Sequence, residues 1–176
     1  MANCITSNRK VFLFILVIIA VLLIIAVIFI IKENSATAEF IMKYQLQEST
    51  FDPRTADILE DVTLVAQPTY KISQNPVVLD LQNESDFEYL YGVGYELEIA
   101  FKDKWYIVPL HDAYLFPLMG YILYPDTSVE TVVDLNNHID VIPGQYRIIK
   151  HLQENITKPF RETVRQGYIA AITTLK

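Results

Sequence analysis

The chain opens with a long apolar run and changes to short alternating segments after residue 61. Residues 11–31 are 21 consecutive apolar residues that contain no Gly, Pro or charge. A helix rises about 1.5 Å per residue, so this run would span roughly 30 Å, the thickness of the hydrocarbon core of a bilayer. A buried helix of a soluble protein usually keeps a polar face. This run has none, and the pattern predicts a transmembrane helix over residues 11–32.

The charges that flank the run predict its orientation. Arg9 and Lys10 precede it, and residues 1–10 contain no acidic side chain. Because basic residues favour the cytoplasmic side of a membrane, we expect 1–10 to be a cytoplasmic tail and the rest of the chain to lie outside the cell. All 21 acidic residues follow residue 32, and residues 33–176 carry a net charge of −10.

A cleaved signal peptide is the alternative for the same run. Residues 36–38, Ala-Thr-Ala, offer a cleavage motif after Ala38, but the apolar region of a signal peptide usually has about 7–15 residues. The length of the run therefore favours an uncleaved signal-anchor. Cys4, the only cysteine, precedes the run, so the exported part contains no disulfide.

The remaining chain divides into a connecting segment and one domain. Residues 33–61 are mostly polar, and Pro53 interrupts any long element in them. We expect a partly helical stalk, in which the first half continues the preceding helix. From residue 62 onward, about seven short strands alternate with turn residues, as expected of an antiparallel sandwich of immunoglobulin-like size. A closed barrel is the architectural alternative. Alternation is clearest over residues 95–101, YELEIAF, where the apolar residues occupy one face and Glu96, Glu98 and Ala100 the other.

Three segments in a fixed order resemble a known family. Residues 95–109, 120–135 and 143–150 are similar to bacterial immunoglobulin-like domains of Gram-positive surface proteins of unknown role. The matching positions are Leu97-Glu98, Lys104-Trp105-Tyr106, Val108-Pro109, Tyr124-Pro125, Asp134-Leu135 and Gly144-Tyr146-Arg147-Ile148. The resemblance implies an immunoglobulin-like sandwich over residues 62–176, without an enzyme activity or an agreed ligand. Two turns depart from the family pattern, because the turn before Trp105 lacks the usual Gly and Asp126 replaces the Gly after Pro125.

Trp105, the single tryptophan, lies in a predicted hairpin. We expect residues 102–104 to form a three-residue connection that brings Phe101 and Trp105 near each other across the strands. On this interpretation Trp105 and Tyr146 belong to the structural core. Removing a fully buried Trp105 would then cost roughly 3–5 kcal/mol.

The sequence offers few residues for chemistry. The three histidines have no zinc-ligand spacing, no serine lies in a nucleophile motif, and we predict no catalytic residue, metal or cofactor. Glu96 and Glu98 could act as paired carboxylates, but a solvated sheet face is the preferred interpretation. The net charge of −10 also disfavours nucleic acid as a partner.

One predicted loop, residues 154–167, is a candidate for partner binding. It contains Lys158, Arg161 and Arg165 between the last two strands, and loops at the ends of sandwiches commonly bind partners. A solvated loop is the alternative. We therefore predict a chain anchored in the bilayer through residues 11–32 that displays a structural or protein-binding module at the cell surface. An inhibitor or accessory subunit of an exported enzyme, acting through such a loop, is the second hypothesis, and a small hydrolase is the third.

Overall fold

The computed structural model describes residues 2–112, 114–155 and 164–176. The chain forms two compact units, Met1–Glu39 and Phe40–Lys176. One helix, α1 (Ala2–Tyr44), makes up the first unit and enters the second. Its residues 12–32 are exposed on all sides, and by length and composition it can cross a membrane, since an 18-residue window within it has a mean hydropathy of 3.8. Arg9 and Lys10 lie in α1, and their side chains fall outside the described residues.

Helix α1 ends in a left-handed cap. The N–H of Gln45 donates to the Met42 carbonyl (3.3 Å) and that of Leu46 donates to the Ile41 carbonyl (3.0 Å). With a φ of 51° at Gln45, these two bonds form a Schellman motif. Phe40 and Leu46 are buried in the core of the second unit. The predicted stalk, 33–61, is thus corrected, since the chain from Phe40 onward belongs to the folded domain.

Ten strands form in the described part of the second unit, rather than about seven. The sequence pattern did not predict the short strand at residues 89–92. The strands are β1 (Val62–Val65), β2 (Thr69–Tyr70), β3 (Val77–Asn83), β4 (Tyr89–Gly92), β5 (Glu96–Phe101), β6 (Lys104–Ile107), β7 (Gly120–Leu123), β8 (Thr127–Val133), β9 (Gly144–Glu154) and β10 (Gln166–Leu175), with a short 3₁₀ helix at Leu135–Asn137.

The strands form two sheets that share one hydrophobic core. The small sheet has the order β1-β3-β8, and the large sheet has the order β2-β10-β9-β4-β7, with β5 beside β9 and β6 beside β5. Buried side chains from both sheets, such as Leu79 and Leu81 of β3 and Leu97 and Ile148 of the large sheet, belong to a single cluster. This arrangement is consistent with the immunoglobulin-like sandwich and differs from a closed barrel.

Tyr146 lies at the centre of this core and is 0% exposed. Its hydroxyl donates to the Ile142 carbonyl at 2.8 Å and lies 3.2 Å from the Ile142 N–H, which donates to it. A tyrosine near the start of a strand that bonds the backbone a few residues upstream is the arrangement of the tyrosine corner in immunoglobulin folds.

The large sheet forks along β9. Residues Tyr146–Ile149 pair with β5, and the register from Leu152 onward pairs with β4. The connection from Gly92 to Tyr95 therefore lies opposite Lys150 and His151, which pair with neither strand. Because side chains alternate along a strand, Lys150 points to the inner face of the sheet and His151 to the outer face.

Residues 45–61 cross the outer face of the large sheet. At one side the Ser49 N–H donates to the Trp105 carbonyl at 2.8 Å, and at the other the Tyr168 N–H donates to the Asp57 carbonyl at 2.7 Å. A Cβ at Gly167 would stand 2.3 Å from the Asp57 carbonyl oxygen, so this close approach requires glycine. The crossing segment consequently covers part of the outer face, where the side chains of Glu98 and Arg147 are buried.

Candidate functional site

An open cleft of about 640 Å³ lies where residues 50–56 cross the outer face of the large sheet. Phe51 and Asp52 come from the crossing segment, Gly92 and Glu96 from the fork, and Tyr168 from β10. The phenyl ring of Phe51 meets the Tyr168 ring edge-on with the centroids 5.7 Å apart. The fork and the crossing segment together create this concave surface, which we call the outer-face cleft.

Beside the cleft, Glu98 and Arg147 form a buried ion pair. They stand opposite each other in the β5–β9 register, and their side chains are 0% and 5% exposed. The Nε of Arg147 donates to Oε2 of Glu98 at 2.6 Å, and its Nη2 donates to the Phe51 carbonyl at 3.2 Å. The guanidinium lies between two rings, 4.8 Å from the centroid of Phe51 and 4.6 Å from that of Trp105. The expectation of a solvated face is therefore corrected at Glu98.

Glu96 extends this polar cluster into the cleft. Partial burial raises the pKa of the Glu96 carboxyl, and the adjacent Glu98 carboxylate raises it further, against the opposing charge of Arg147. Oε1 of Glu98 is buried and has no hydrogen-bond partner among the described residues. The raised pKa of Glu96 means that the protonated form of its carboxyl group is stabilised beside the Glu98 carboxylate.

Lys150 fixes the wall of the cleft from the inner side of the sheet. It is 2% exposed, and its Nζ donates to the carbonyls of Gly92 and Gly94, both at 3.0 Å. Burial lowers the pKa of Lys150 to about 8. Lys150 is consequently a positioning residue for the Gly92–Tyr95 connection and adds no charge to the surface.

The charge that the cleft presents is negative. Asp52 and Glu96 line it, and neither Lys nor Arg is among its described lining residues. The Arg54 guanidinium, bonded to Asp52, lowers the pKa of that carboxyl to about 2. His151 also lines the cleft and packs on Tyr168 with the ring centroids 5.1 Å apart.

Trp105 lies on the outer face, and its assignment to the core is corrected. Strand β5 ends at Phe101 and β6 begins at Lys104, so the connection has two residues rather than three. Trp105 then pairs with Ala100, whereas Phe101 pairs with Lys104. Directly paired residues share a face, which places Trp105 on the face of Glu98 and away from Phe101. The indole is half-buried and covers Arg147.

The predicted partner-binding residues are only partly described. Lys158 and Arg161 lie outside the described residues. Arg165 pairs with Asp61 at 3.3 Å, and its guanidinium lies 4.8 Å from the centroid of the Phe87 ring. This cation is held against the domain.

The three histidines do not form one cluster, although the bridge between Leu110 and His138 brings His111 close to His138. His138 is 3% exposed, its Nδ1 lies 2.9 Å from the Val108 carbonyl oxygen, and burial lowers its pKa. His111 and His151 are exposed. Among the described residues, no group of three or more His, Cys, Asp or Glu side chains could hold a metal ion.

A sequence model of the bacterial Ig-like domain matches residues 61–163. The chain belongs to the bacterial Ig-like domain family. The match includes strands β1 to β9 and leaves outside it residues 45–60 of the crossing segment and strand β10. No curated protein and no solved structure matches the chain significantly. The cleft thus lies where family residues meet residues on both sides of the match, such as Phe51 and Tyr168.

Proposed function

We propose that this protein is a single-pass membrane protein that displays its Ig-like domain outside a Gram-positive cell as a structural or protein-binding module, without catalysis. The observation that carries the proposal is the pairing of an Ig-like domain with a helix whose apolar residues 12–31 are unburied on every side. An unbroken apolar surface of this length has a favourable environment in a bilayer. Arg9 and Lys10 support a cytoplasmic amino terminus.

The domain supports binding better than bond making. Its polar cluster is locked by the Glu98–Arg147 pair, and no metal-ligand group occurs in the described parts. The accessory-subunit hypothesis depends on the loop that contains Lys158 and Arg161, so it stays a prediction.

The single cysteine allows a direct test of the topology. In intact cells, a membrane-impermeant maleimide should leave the wild-type chain unlabelled, because Cys4 is expected in the cytoplasm. The variant Cys4→Ser/Ser128→Cys should be labelled, since Ser128 is exposed on β8 of the domain. Permeabilised cells supply the control, in which both chains react.

The opposite labelling pattern would contradict the proposed orientation. Labelling of Cys4 alone in intact cells would place the amino terminus outside. Loss of the chain from the membrane fraction would contradict the anchor itself.

A further inference from the structure

We propose that the outer-face cleft binds an alkylammonium group, with the carboxylate of Glu96 as its counter-charge and Oε1 of the neighbouring Glu98 as a further acceptor. Such a group is presented by a lysine side chain or by the amino terminus of a protein partner. The inference deepens the proposed binding function and rests on it for the physiological ligand.

The first argument is the charge of the cleft. Its lining contains the carboxyl groups of Asp52 and Glu96, the imidazole of His151 and, among described residues, neither Lys nor Arg. Asp52 is paired with Arg54 at 2.7 Å and Glu98 is paired with Arg147, so each of these two carboxylates has its own cation. No ion pair to Glu96 occurs among the described residues, so the Glu96 carboxylate supplies the excess negative charge of the cleft.

The second argument is an acceptor without a donor. Oε1 of Glu98 is buried and unpartnered among the described residues, although buried polar atoms nearly always have a hydrogen-bond partner. Glu96 lines the cleft and lies two positions before Glu98 on the same face of β5. An ammonium group bound at Glu96 would supply several N–H donors. It would occupy the position that the proton of a protonated Glu96 otherwise occupies.

The third argument is the apolar and aromatic surface around the carboxyl groups. The rings of Phe51 and Tyr168 stand at the cleft, and Ile149 and Ile107 also line it. An alkyl stem can pack on such surfaces while its charged end reaches the carboxylates. Aromatic rings near an ammonium add a further attraction. The combination fits an alkylammonium group better than a small inorganic cation.

The test titrates the full chain in detergent micelles with n-pentylammonium at neutral pH and follows the fluorescence of Trp105, the single tryptophan. Trp105 contacts Arg147, which pairs with Glu98, so occupation of the cleft should change its emission. We expect a saturable response to the amine and none to n-pentanol, which has the same stem without the charge.

Two matched variants locate the response. Glu96→Gln should weaken amine binding by about tenfold, the loss expected of a charge-assisted hydrogen bond. Glu130→Gln makes the same change at an exposed position of β8 and should leave the affinity unchanged. Equal binding by the two variants, an equal response to pentanol, or the absence of saturation would overturn the inference.

Two peptides then distinguish the source of the group. Tighter binding of acetylated Gly-Lys-Gly identifies a lysine side chain, and tighter binding of Gly-Gly-Gly with a free amine identifies an amino terminus. Failure of both peptides would overturn the inference. The cysteine-labelling experiment is independent of these titrations, so failure of the cleft would leave the proposed topology and display standing.

Discussion

Strand β9 buries two cations, three residues apart, on opposite faces of the large sheet. Arg147 on the outer face is paired with the Glu98 carboxylate and enclosed by two aromatic rings. Lys150 on the inner face bonds only to neutral carbonyls, those of Gly92 and Gly94. The two side chains are buried to a similar degree, 4% and 2% exposed, but their surroundings compensate charge in different ways.

The comparison shows how partner chemistry decides what burial does to a charge. A carboxylate compensates the guanidinium, so each member of that pair depends on the other. Carbonyl dipoles compensate an ammonium less completely, and burial lowers the pKa of Lys150 to about 8. We therefore expect the stability of the domain to depend on mutation of the outer-face pair and, through the inner-face lysine, on pH.

The largest effect is expected from Arg147→Met. The substitution leaves the Glu98 carboxylate buried without its cation, and such losses destabilise proteins by about 3–5 kcal/mol. Urea unfolding of the full chain in micelles measures the change. The double variant Arg147→Met/Glu98→Leu removes both charges and should recover most of the lost free energy.

The double variant is also the control for packing. If it is as unstable as Arg147→Met, the cost arises from lost packing of the guanidinium against Phe51 and Trp105, and the electrostatic account of the outer face fails.

The next effect is a pH dependence at Lys150. Its pKa is about 8 in the folded chain against an ordinary value of 10.5, so between these values the unfolded chain binds the proton more strongly. Stability should rise with pH across this window by up to about 3 kcal/mol relative to the neutral variant Lys150→Met. Below pH 8 the cost of the buried charge is fully present.

Unfolding free energies of the two chains, measured at a series of pH values across the window, test this expectation. Ile148→Met, at a buried position on the same face, is the matched control and should parallel the wild type. A constant difference between wild type and Lys150→Met would show that the lysine keeps its charge in the folded domain without penalty.

A smaller effect is expected from Trp105→Ala. The indole is half-buried and its ring lies against the guanidinium of Arg147, an interaction of about 0.5–2 kcal/mol. Leu97→Ala, at a position of β5 that is 1% exposed, should cost about 2–5 kcal/mol. Equal losses of unfolding free energy in the two variants, measured by urea unfolding, would indicate that Trp105 belongs to the core.

The alternation in the sequence predicted the faces of β5 correctly, because period-2 patterning follows directly from strand geometry. It placed Leu97 and Ile99 inward and Glu98 outward, as the structure has them. It did not predict that the outward face is covered, because the cover comes from residues 45–61, which have no regular pattern. Glu98 was therefore expected on a solvated face.

Two other features depended on single residues. The connection between β5 and β6 has two residues instead of the predicted three, and this places Trp105 on the outer face rather than in the core. A shift of one position along a strand exchanges the faces to which all its side chains point. Lys150 follows two isoleucines in β9, and this apolar context was a signal for burial. Its acceptors, Gly92 and Gly94, are distant in the sequence, and only the fork of the sheet brings them to it.

The smallest effect concerns the turn that sets this register. Lys102 has a φ of 55°, a left-handed conformation that costs a residue with a Cβ roughly 1 kcal/mol more than glycine. Lys102→Gly should therefore stabilise the domain by about 0.5–1 kcal/mol, while the emission of Trp105 stays unchanged because the register is kept. Asp103→Gly is the matched control, since Asp103 has a negative φ and gains only unfolded-state entropy, so it should destabilise. A gain in stability from Asp103→Gly would contradict the turn conformation assigned here. A changed Trp105 emission in Lys102→Gly would show that the pairing of Ala100 with Trp105, which places the indole over Arg147, depends on more than this turn.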